Sequence, residues 1–205
     1  MIPKIIHQIW LGNQSKRPYD LINTWKTKNP TWQHVVWTEE NMPKSVVEDK
    51  FDLCPSYPGK ADILRYQLLY MYGGFFVDAD SECIRLLDDD LLDCQAFCCW
   101  ENEYVKTGLM SNGYLASEEG NPFFKILLDK IATLDMNYPP LHTWWHTGPQ
   151  LLTETVKEYK YNGMYVYPSH YFIPKHYMGI EYKGNGRVYA KQYWGSTPGM
   201  EVIYK

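Results

Sequence analysis

The stretch that constrains this chain most is residues 58–80, PGKADILRYQLLYMYGGFFVDAD. Ala61, Leu64, Leu68 and Met71 or Tyr72 recur three and four apart, which predicts a helix with one apolar stripe. Asp62, Arg65, Tyr66 and Leu69 keep the same spacing on a neighbouring face. Pro58 suits a first turn, where its missing N–H is no loss, and an acid at Asp62 suits the positive end of the helix dipole. Gly73-Gly74 stops the helix, because glycine enters the left-handed cap without a Cβ clash. Phe75, Phe76 and Val77 then read as a short buried strand.

That strand runs into Asp78-Ala79-Asp80. Residues two apart in an extended chain point the same way, so both carboxylates are expected to face one point. The point lies at the carboxyl end of a buried strand, where open α/β sheets bind ligands. Two adjacent carboxylates repel each other and are costly to desolvate. A hard divalent cation, Mg²⁺ or Mn²⁺, resolves the conflict by taking one or two carboxylates, some water and phosphate oxygens of a substrate. An ordinary strand-end turn is the competing explanation of a D-x-D tripeptide. The apolar strand before it and the Asp62/Arg65 helix ahead of it favour a metal–diphosphate site with Asp78 and Asp80 as ligands.

The length of 205 residues fits a single domain, and a hydrophobic content of 45% allows a substantial core. Tyr (18) and Trp (8) are abundant; their flat faces suit sugar rings and bases, and equally an aromatic core. A net charge of −4 argues against non-specific nucleic-acid binding. Asp88-Asp89-Asp90 is too short for an acidic tail and reads as a solvated turn. The opening MIPKIIHQIW is too short and too polar for a signal peptide, and no apolar run approaches the roughly 18 residues of a membrane span, so no intrinsic anchor is expected. Five cysteines (Cys54, Cys83, Cys94, Cys98, Cys99) are odd in number and lack zinc-type pairing, which points to reduced thiols in a cytoplasmic protein.

Along the chain, Lys4–Trp10 reads as a first strand, with Leu11-Gly12-Asn13 turning out of it. Trp10 then stands at the sheet's carboxyl edge, placed either to stack on a nucleobase or as a core residue. Pro18–Lys28 is helix-like, Trp32–Trp37 a second strand, and Glu39–Lys50 a weaker helix with Pro43 near its start. This β-α-β-α order followed by the central helix and aspartate strand predicts a doubly wound α/β sheet. Strands are expected at 95–100 and 111–116, the latter beginning near Asn112, and Asn121-Pro122 opens a helix to Ile131. Residues 139–149, PPLHTWWHTGP, predict an aromatic loop rather than a regular element, one that leaves His142 and His146 poorly aligned for zinc. Gln150–Tyr159 reads as a helix. The Tyr-rich end reads as strands at 164–167, 171–173 and 188–194, with Gly184-Asn185-Gly186 as a hairpin turn. Lys191, Gln192, Trp194 and Ser196 are candidates to fold over the metal site as a lid.

With these pieces in place, the chain resembles the glycosyltransferases with a D-x-D sugar-nucleotide-binding region, the group that includes yeast outer-chain mannosyltransferases and bacterial capsular polysaccharide transferases. The matching pieces are IPKIIHQIWLG at 2–12, ADILRYQLLYMYGGFFVDAD at 61–80, SNGYLAS at 111–117 followed by NPFF, and HTGPQLLT at 146–153. They cover most of the chain. The resemblance implies a GT-A fold with a Rossmann-like, mostly parallel central sheet, a nucleotide-sugar donor (UDP- or GDP-hexose), Mn²⁺ or Mg²⁺, and retention of anomeric configuration. It also implies a glycan, lipid-linked or protein acceptor. Carried over, Trp10 stacks on the donor base, while Asp62 and Arg65 hold donor sugar hydroxyls and the diphosphate. Asp80 ligates the metal directly. Asp78 contacts ribose or binds the metal through water, and Asn112 sits near the donor or acceptor sugar. One departure stands out. Relatives often end in a His-rich stretch before Ser-Trp, where this chain has Lys191-Gln192-Tyr193-Trp194-Gly195-Ser196-Thr197. Lys191 is the candidate to supply positive charge to the diphosphate instead, and Ser196 joins it as a donor-site candidate.

The implied chemistry is glycosyl transfer, in which metal and Arg65 neutralise charge on the departing diphosphate. No carboxylate stands out as a nucleophile for double displacement; Asp62, Glu101 and Glu103 remain open. A phosphatase that uses D-x-D as an aspartyl nucleophile needs the motif near the N-terminus, whereas here it follows about 75 residues of chain. A non-catalytic module that binds nucleotide sugar is compatible with the altered C-terminal stretch.

Overall fold

The computed structural model describes residues 1–195. Its strands and helices run β1 (Ile5–Ile9), α1 (Tyr19–Lys28), β2 (Gln33–Trp37), α2 (Glu48–Leu53), α3 (Tyr57–Tyr72), β3 (Gly74–Val77), β4 (Ser81–Cys83), β5 (Ala96–Asn102), β6 (Lys106–Ser117), α4 (Pro122–Ala132), α5 (Thr143–His146), α6 (Pro149–Glu158), β7 (Met164–Tyr167) and β8 (Ala190–Gln192). Six strands form one sheet in the order β2-β1-β3-β6-β5-β7, and β4 pairs with β8 in a second ribbon. β2, β1 and β3 are mutually parallel, β5 and β7 are parallel, and β6 runs antiparallel to both of its neighbours. Five strands thus point one way and β6 alone points back. The expected mostly parallel α/β sheet is present, with this one reversal.

The local reasons match the sequence. Ser56 caps α3 by accepting from the Gly59 amide, and Pro58 lies in the first turn. Gly73 closes the helix at φ 62 and Gly74 follows at φ 91. A Cβ on Gly74 would sit 2.6 Å from the Ile5 carbonyl, so close pairing with β1 also requires glycine there. The side chain of Asn121 caps α4, and Pro122 opens it. The central strands carry apolar residues on both faces and are buried on both. Phe76, Cys98 and Leu115 pack with α3, α4 and α6, while Phe75, Val77, Phe97 and Tyr114 pack with Trp25 of α1 and the aromatic C-terminal region.

Several expectations are corrected. The helix expected at Glu39–Lys50 is confined to α2, Glu48–Leu53. Asn41 instead accepts from the Thr38 amide, and Gln67 of α3 satisfies both the Val46 amide and the Lys44 carbonyl. Side-chain partners replace the helical ladder around Pro43. The 139–149 stretch is more regular than expected: a 3-10 turn at Pro140–His142 runs into the single-turn α5, and Gly148-Pro149 opens α6. Residues 169–171 form a 3-10 turn where the strand at 171–173 was expected. Gly184–Gly186 joins no hairpin; the Gly186 amide donates to the Tyr182 hydroxyl, and pairing there is limited to a Lys175–Glu181 bridge.

Candidate functional site

The carboxyl ends of β1, β3 and β5 meet along one edge of the sheet. Because β6 is reversed, the middle of that strand meets the same edge: Val77, the last residue of β3, pairs with Tyr114. Asn112 and Gly113 lie just beyond that pair. The sequence placed Asn112 at the start of a strand; β6 begins earlier, at Lys106, and it is the short β3 that leaves Asn112 at the edge. A cleft of about 1490 Å³ opens here, and Trp10, Asp62, Arg65, Asp78, Asp80 and Asn112 all line it.

The floor is a buried polar network. Asp62 is only 6% exposed. Its Oδ1 accepts from Asn112 Nδ2 at 2.8 Å and lies 3.2 Å from Arg65 Nη2; its Oδ2 accepts from Thr147 Oγ1 at 3.0 Å. Burial pushes the Asp62 carboxyl up to about 6, against the opposing pull of Arg65, Thr147 and Asn112. Arg65 lies over the Phe76 ring (4.2 Å), donates to the Asn112 carbonyl at 2.6 Å, and reaches Asp78 Oδ1 at 3.4 Å. Tyr66 adds a hydroxyl that donates to the Thr147 carbonyl at 2.9 Å. Of the face predicted from Asp62, Arg65 and Tyr66, the first two line the cleft and Tyr66 lies buried behind them.

The aspartate pair is held differently from a simple extended strand. Both the Ser81 amide and the Ser81 hydroxyl donate to the Asp78 carbonyl, so the chain turns at 78–81. Gly113 makes room for Asp78, because a Cβ there would collide with Asp78 Oδ2. Asp80 Oδ1 accepts from Gln192 Nε2 at 2.9 Å, and Oδ2 accepts from the Gly195 amide. Tyr114 in turn orients Gln192, its hydroxyl donating to Gln192 Oε1 at 2.7 Å. Desolvation raises the pKa of Asp78, opposed by Arg65. Desolvation and the charge of Asp78 push Asp80 up to about 6. The described residues contain no group of three or more His, Cys, Asp and Glu side chains placed to share a metal. Two half-buried, mutually repelling carboxylates do fit a hard divalent cation. No oxygen of the pair has more than one protein partner among the described residues, and the remaining positions are of the kind filled by water and phosphate oxygens.

The other sequence candidates divide. Trp10 lines the cleft, its indole N–H donating to the Asn13 carbonyl at 3.0 Å. Lys191 is not brought to the cleft; β8 pairs it opposite Glu82, and its ammonium donates to the Tyr193 hydroxyl at 3.0 Å. Its neighbour Gln192 reaches Asp80 instead, since adjacent strand residues face opposite ways. Ser196 lies outside the described residues. Sequence reasoning missed Thr147 and Gly113 as site residues, as well as Arg17, whose guanidinium lies on the cleft wall with Nε buried and without a hydrogen-bond partner among the described residues. A Thr before Gly-Pro and a Gly after Asn112 are visible in the motifs quoted above, but neither residue type signals a role by itself.

Residues 15–98 match the family model described as the glycosyltransferase sugar-binding region containing a DXD motif. Inositol phosphoceramide mannosyltransferase 3 of Schizosaccharomyces pombe is 31% identical over 163 residues, which is 74% of this chain and 44% of that protein. The chain thus spans less than half the length of this curated relative. Among solved structures, the PaToxG glycosyltransferase superposes with a TM-score of 0.59 at 18% identity, covering 77% of this chain and 70% of that one. The UDP-bound glycosyltransferase domain of the YGT toxin gives 0.58 at 10% identity, covering 80% and 79%. Residues 15–98 thus carry the DXD-containing sugar-binding region of glycosyltransferases, in a chain whose fold is that of GT-A glycosyltransferases.

Proposed function

We propose that the chain transfers a hexose from a nucleoside-diphosphate sugar to a hydroxyl acceptor, with retention of configuration and dependence on Mn²⁺ or Mg²⁺. The observation that carries this reading is the junction of Asp62, Arg65 and Asp78 on one wall of the cleft, with Asp80 beside them. Asp78 and Asp80 would hold the cation, which when bound neutralises charge on the diphosphate. Arg65 is fixed by Asp62 and the Asn112 carbonyl, so its positive charge is preorganised rather than recruited during the reaction. Trp10 offers an aromatic face for the base. Asp62 and Asn112 offer hydrogen-bond partners for donor-sugar hydroxyls. The lining of Gln192, Trp194 and Gly195 helps exclude water from the leaving diphosphate.

The mannosyltransferase names among the relatives make a mannose nucleotide the first donor to try, and the inositol phosphoceramide in one of those names makes a lipid-linked polyol one acceptor class, beside glycans and protein side chains. No described helix is long and apolar enough to cross a membrane. A cytoplasmic site of action belongs to the same reading, supported by five cysteines that all stand as free thiols.

Thermal unfolding with Mn²⁺ and a panel of UDP- and GDP-sugars tests the proposal. A ligand at 100 times its dissociation constant adds about 2.7 kcal/mol. A midpoint shift that needs both metal and one nucleotide identifies the donor. No shift with any pair overturns the reading. Release of free nucleotide when an acceptor is added separates an enzyme from a module that only binds.

A further inference from the structure

Three carboxylates near the cleft are open in sequence as groups for the transfer step: Asp62, Glu101 and Glu103. The structure separates them. Both oxygens of Asp62 are bonded within the buried network. Both oxygens of Glu103 are bonded to Ser169, one to its amide and one to its hydroxyl. Glu101, near the end of β5, lines the cleft, and only its Oε1 is engaged, 3.4 Å from His176 Nε2. Its Oε2 has no protein partner among the described residues.

The partner of Glu101 is itself tightly held. His176 is 1% exposed. Its Nδ1 accepts from the Met178 amide at 3.3 Å, which leaves the ring proton on Nε2, directed at Glu101. The ring packs between Tyr177 at 4.2 Å and the edge of Trp194 at 5.0 Å. Trp194 adopts φ 60, a conformation unusual for a bulky residue, and the next amide, that of Gly195, bonds Asp80. A buried histidine with a fixed tautomer therefore orients a carboxylate at the cleft and packs against the residue next to the amide that clasps Asp80. The same cleft holds Trp144, 42% exposed, with the Lys106 ammonium 5.5 Å from its ring centroid.

We propose that Glu101, oriented by His176, is the polar anchor of the acceptor subsite, and that Trp144 is its apolar platform. The subsite would take a polyhydroxylated ring, a pyranose or cyclitol, with a ring hydroxyl donating to Glu101 Oε2 and ring C–H groups lying on the indole. This assignment rests on the glycosyltransferase reading and adds the half of the cleft that the donor does not use. Glu101 is then an acceptor-binding residue and His176 a positioning residue.

The test uses the full chain with Mn²⁺ and UDP or GDP, whichever shifts its unfolding midpoint, and methyl α-mannopyranoside and myo-inositol as probes read by saturation-transfer NMR. Wild-type protein is expected to bind at least one probe. Glu101→Gln is expected to weaken that probe by about tenfold or more, the scale of a lost hydrogen bond to a charged group, and Trp144→Ala to weaken it through loss of apolar contact, while the nucleotide-dependent shift stays unchanged in both. His176→Phe keeps a ring between Tyr177 and Trp194 but removes the donor, so it should weaken the probe as Glu101→Gln does, and His176→Gln should recover part of the loss. In transfer assays the acceptor KM should rise while the donor KM does not. A wild-type protein that binds nucleotide but neither probe overturns the subsite alone, as does a Glu101→Gln protein with unchanged probe affinity. A wild-type protein that binds no nucleotide overturns the transferase reading, and this assignment with it.

Discussion

Gly113 packs directly against the carboxylate of Asp78, and no β-carbon fits between them. The reversed strand β6 thus approaches the aspartate turn as bare backbone, and its Gly113 carbonyl accepts from the Asp78 amide at 3.0 Å. Gly113→Ala must push the carboxylate away from Arg65. Metal-dependent nucleotide binding should fall by about tenfold or more, with a stability loss of about 1–3 kcal/mol from overpacking. Calorimetric titration and denaturant unfolding of the same variant measure the two effects.

Asp80 carries a charge that burial and Asp78 both oppose. Asp80→Asn removes that charge and keeps the shape. The variant should fold, with an unchanged or higher unfolding midpoint in the absence of metal. Transfer should drop by about a hundredfold or more, since neutralisation of the leaving diphosphate is worth several kcal/mol. Near-normal turnover by Asp80→Asn would remove Asp80 from the metal site.

Thr147 is a buried support that lies within the HTGP stretch but whose role its residue type does not signal. Its hydroxyl donates to Asp62 Oδ2, and the residue is fully buried. Thr147→Val preserves volume while depriving a buried carboxylate of a donor, at a cost of about 1–3 kcal/mol. The Asp62 pKa should rise further, and kcat should fall more than donor affinity, because Arg65 loses a fully charged partner. Urea unfolding and a pH–rate profile check both statements.

Arg17 and Lys191 make opposite predictions. Arg17 lines the cleft with a buried nitrogen that has no partner among the described residues, whereas Lys191 sits on Tyr193. Arg17→Ala should weaken nucleotide binding by about tenfold, consistent with loss of a charge-assisted contact. Lys191→Ala should leave it within about twofold, the level at which exposed charges act. Nucleotide titrations of the two variants side by side decide which cation serves the donor.

His7 ties pH to stability. It is buried, accepts the Trp37 indole N–H on Nδ1 and donates from Nε2 to the Gly73 carbonyl at the helix stop. Desolvation lowers its pKa from 6.5 to about 4. A base whose folded pKa is depressed contributes stability that is complete above its unfolded value and is lost as pH falls from about 6.5 toward 4, by up to about 3 kcal/mol. Asp62 and Asp80, raised to about 6, act in the opposite sense over much of that window, because the folded form takes up their protons more readily. The difference between wild type and His7→Gln, followed by unfolding at pH 7.5 and 5, isolates the histidine: the variant should lose less stability on acidification.

Local sequence was sufficient for whatever depends on neighbours in the chain. The helix α3 with its glycine stop, the buried β3 and the shared face of Asp62, Arg65 and Tyr66 follow from helical and strand spacing, because those contacts close within a few residues; the single apolar stripe does not, since residues 62–69 are buried without a break and Tyr72 is exposed. The short strand ending at Val77 and the D-x-D motif after it are enough, as sequence, to mark the edge of the sheet where the cleft opens. Tertiary structure alone decided what surrounds the carboxylates. Asn112 and Thr147 reach Asp62 across separations of 50 and 85 residues, and Gln192 reaches Asp80 across 112. Those meetings depend on the reversal of β6, the turn at 78–81 and the pairing of β8 with β4, which set the facing of Gln192 and Lys191 by strand parity. The pairing of Glu101 with His176, 75 residues apart, has the same origin. Strand register assigns every side chain to one face or the other, and a single strand's sequence without its partners carries no record of that register.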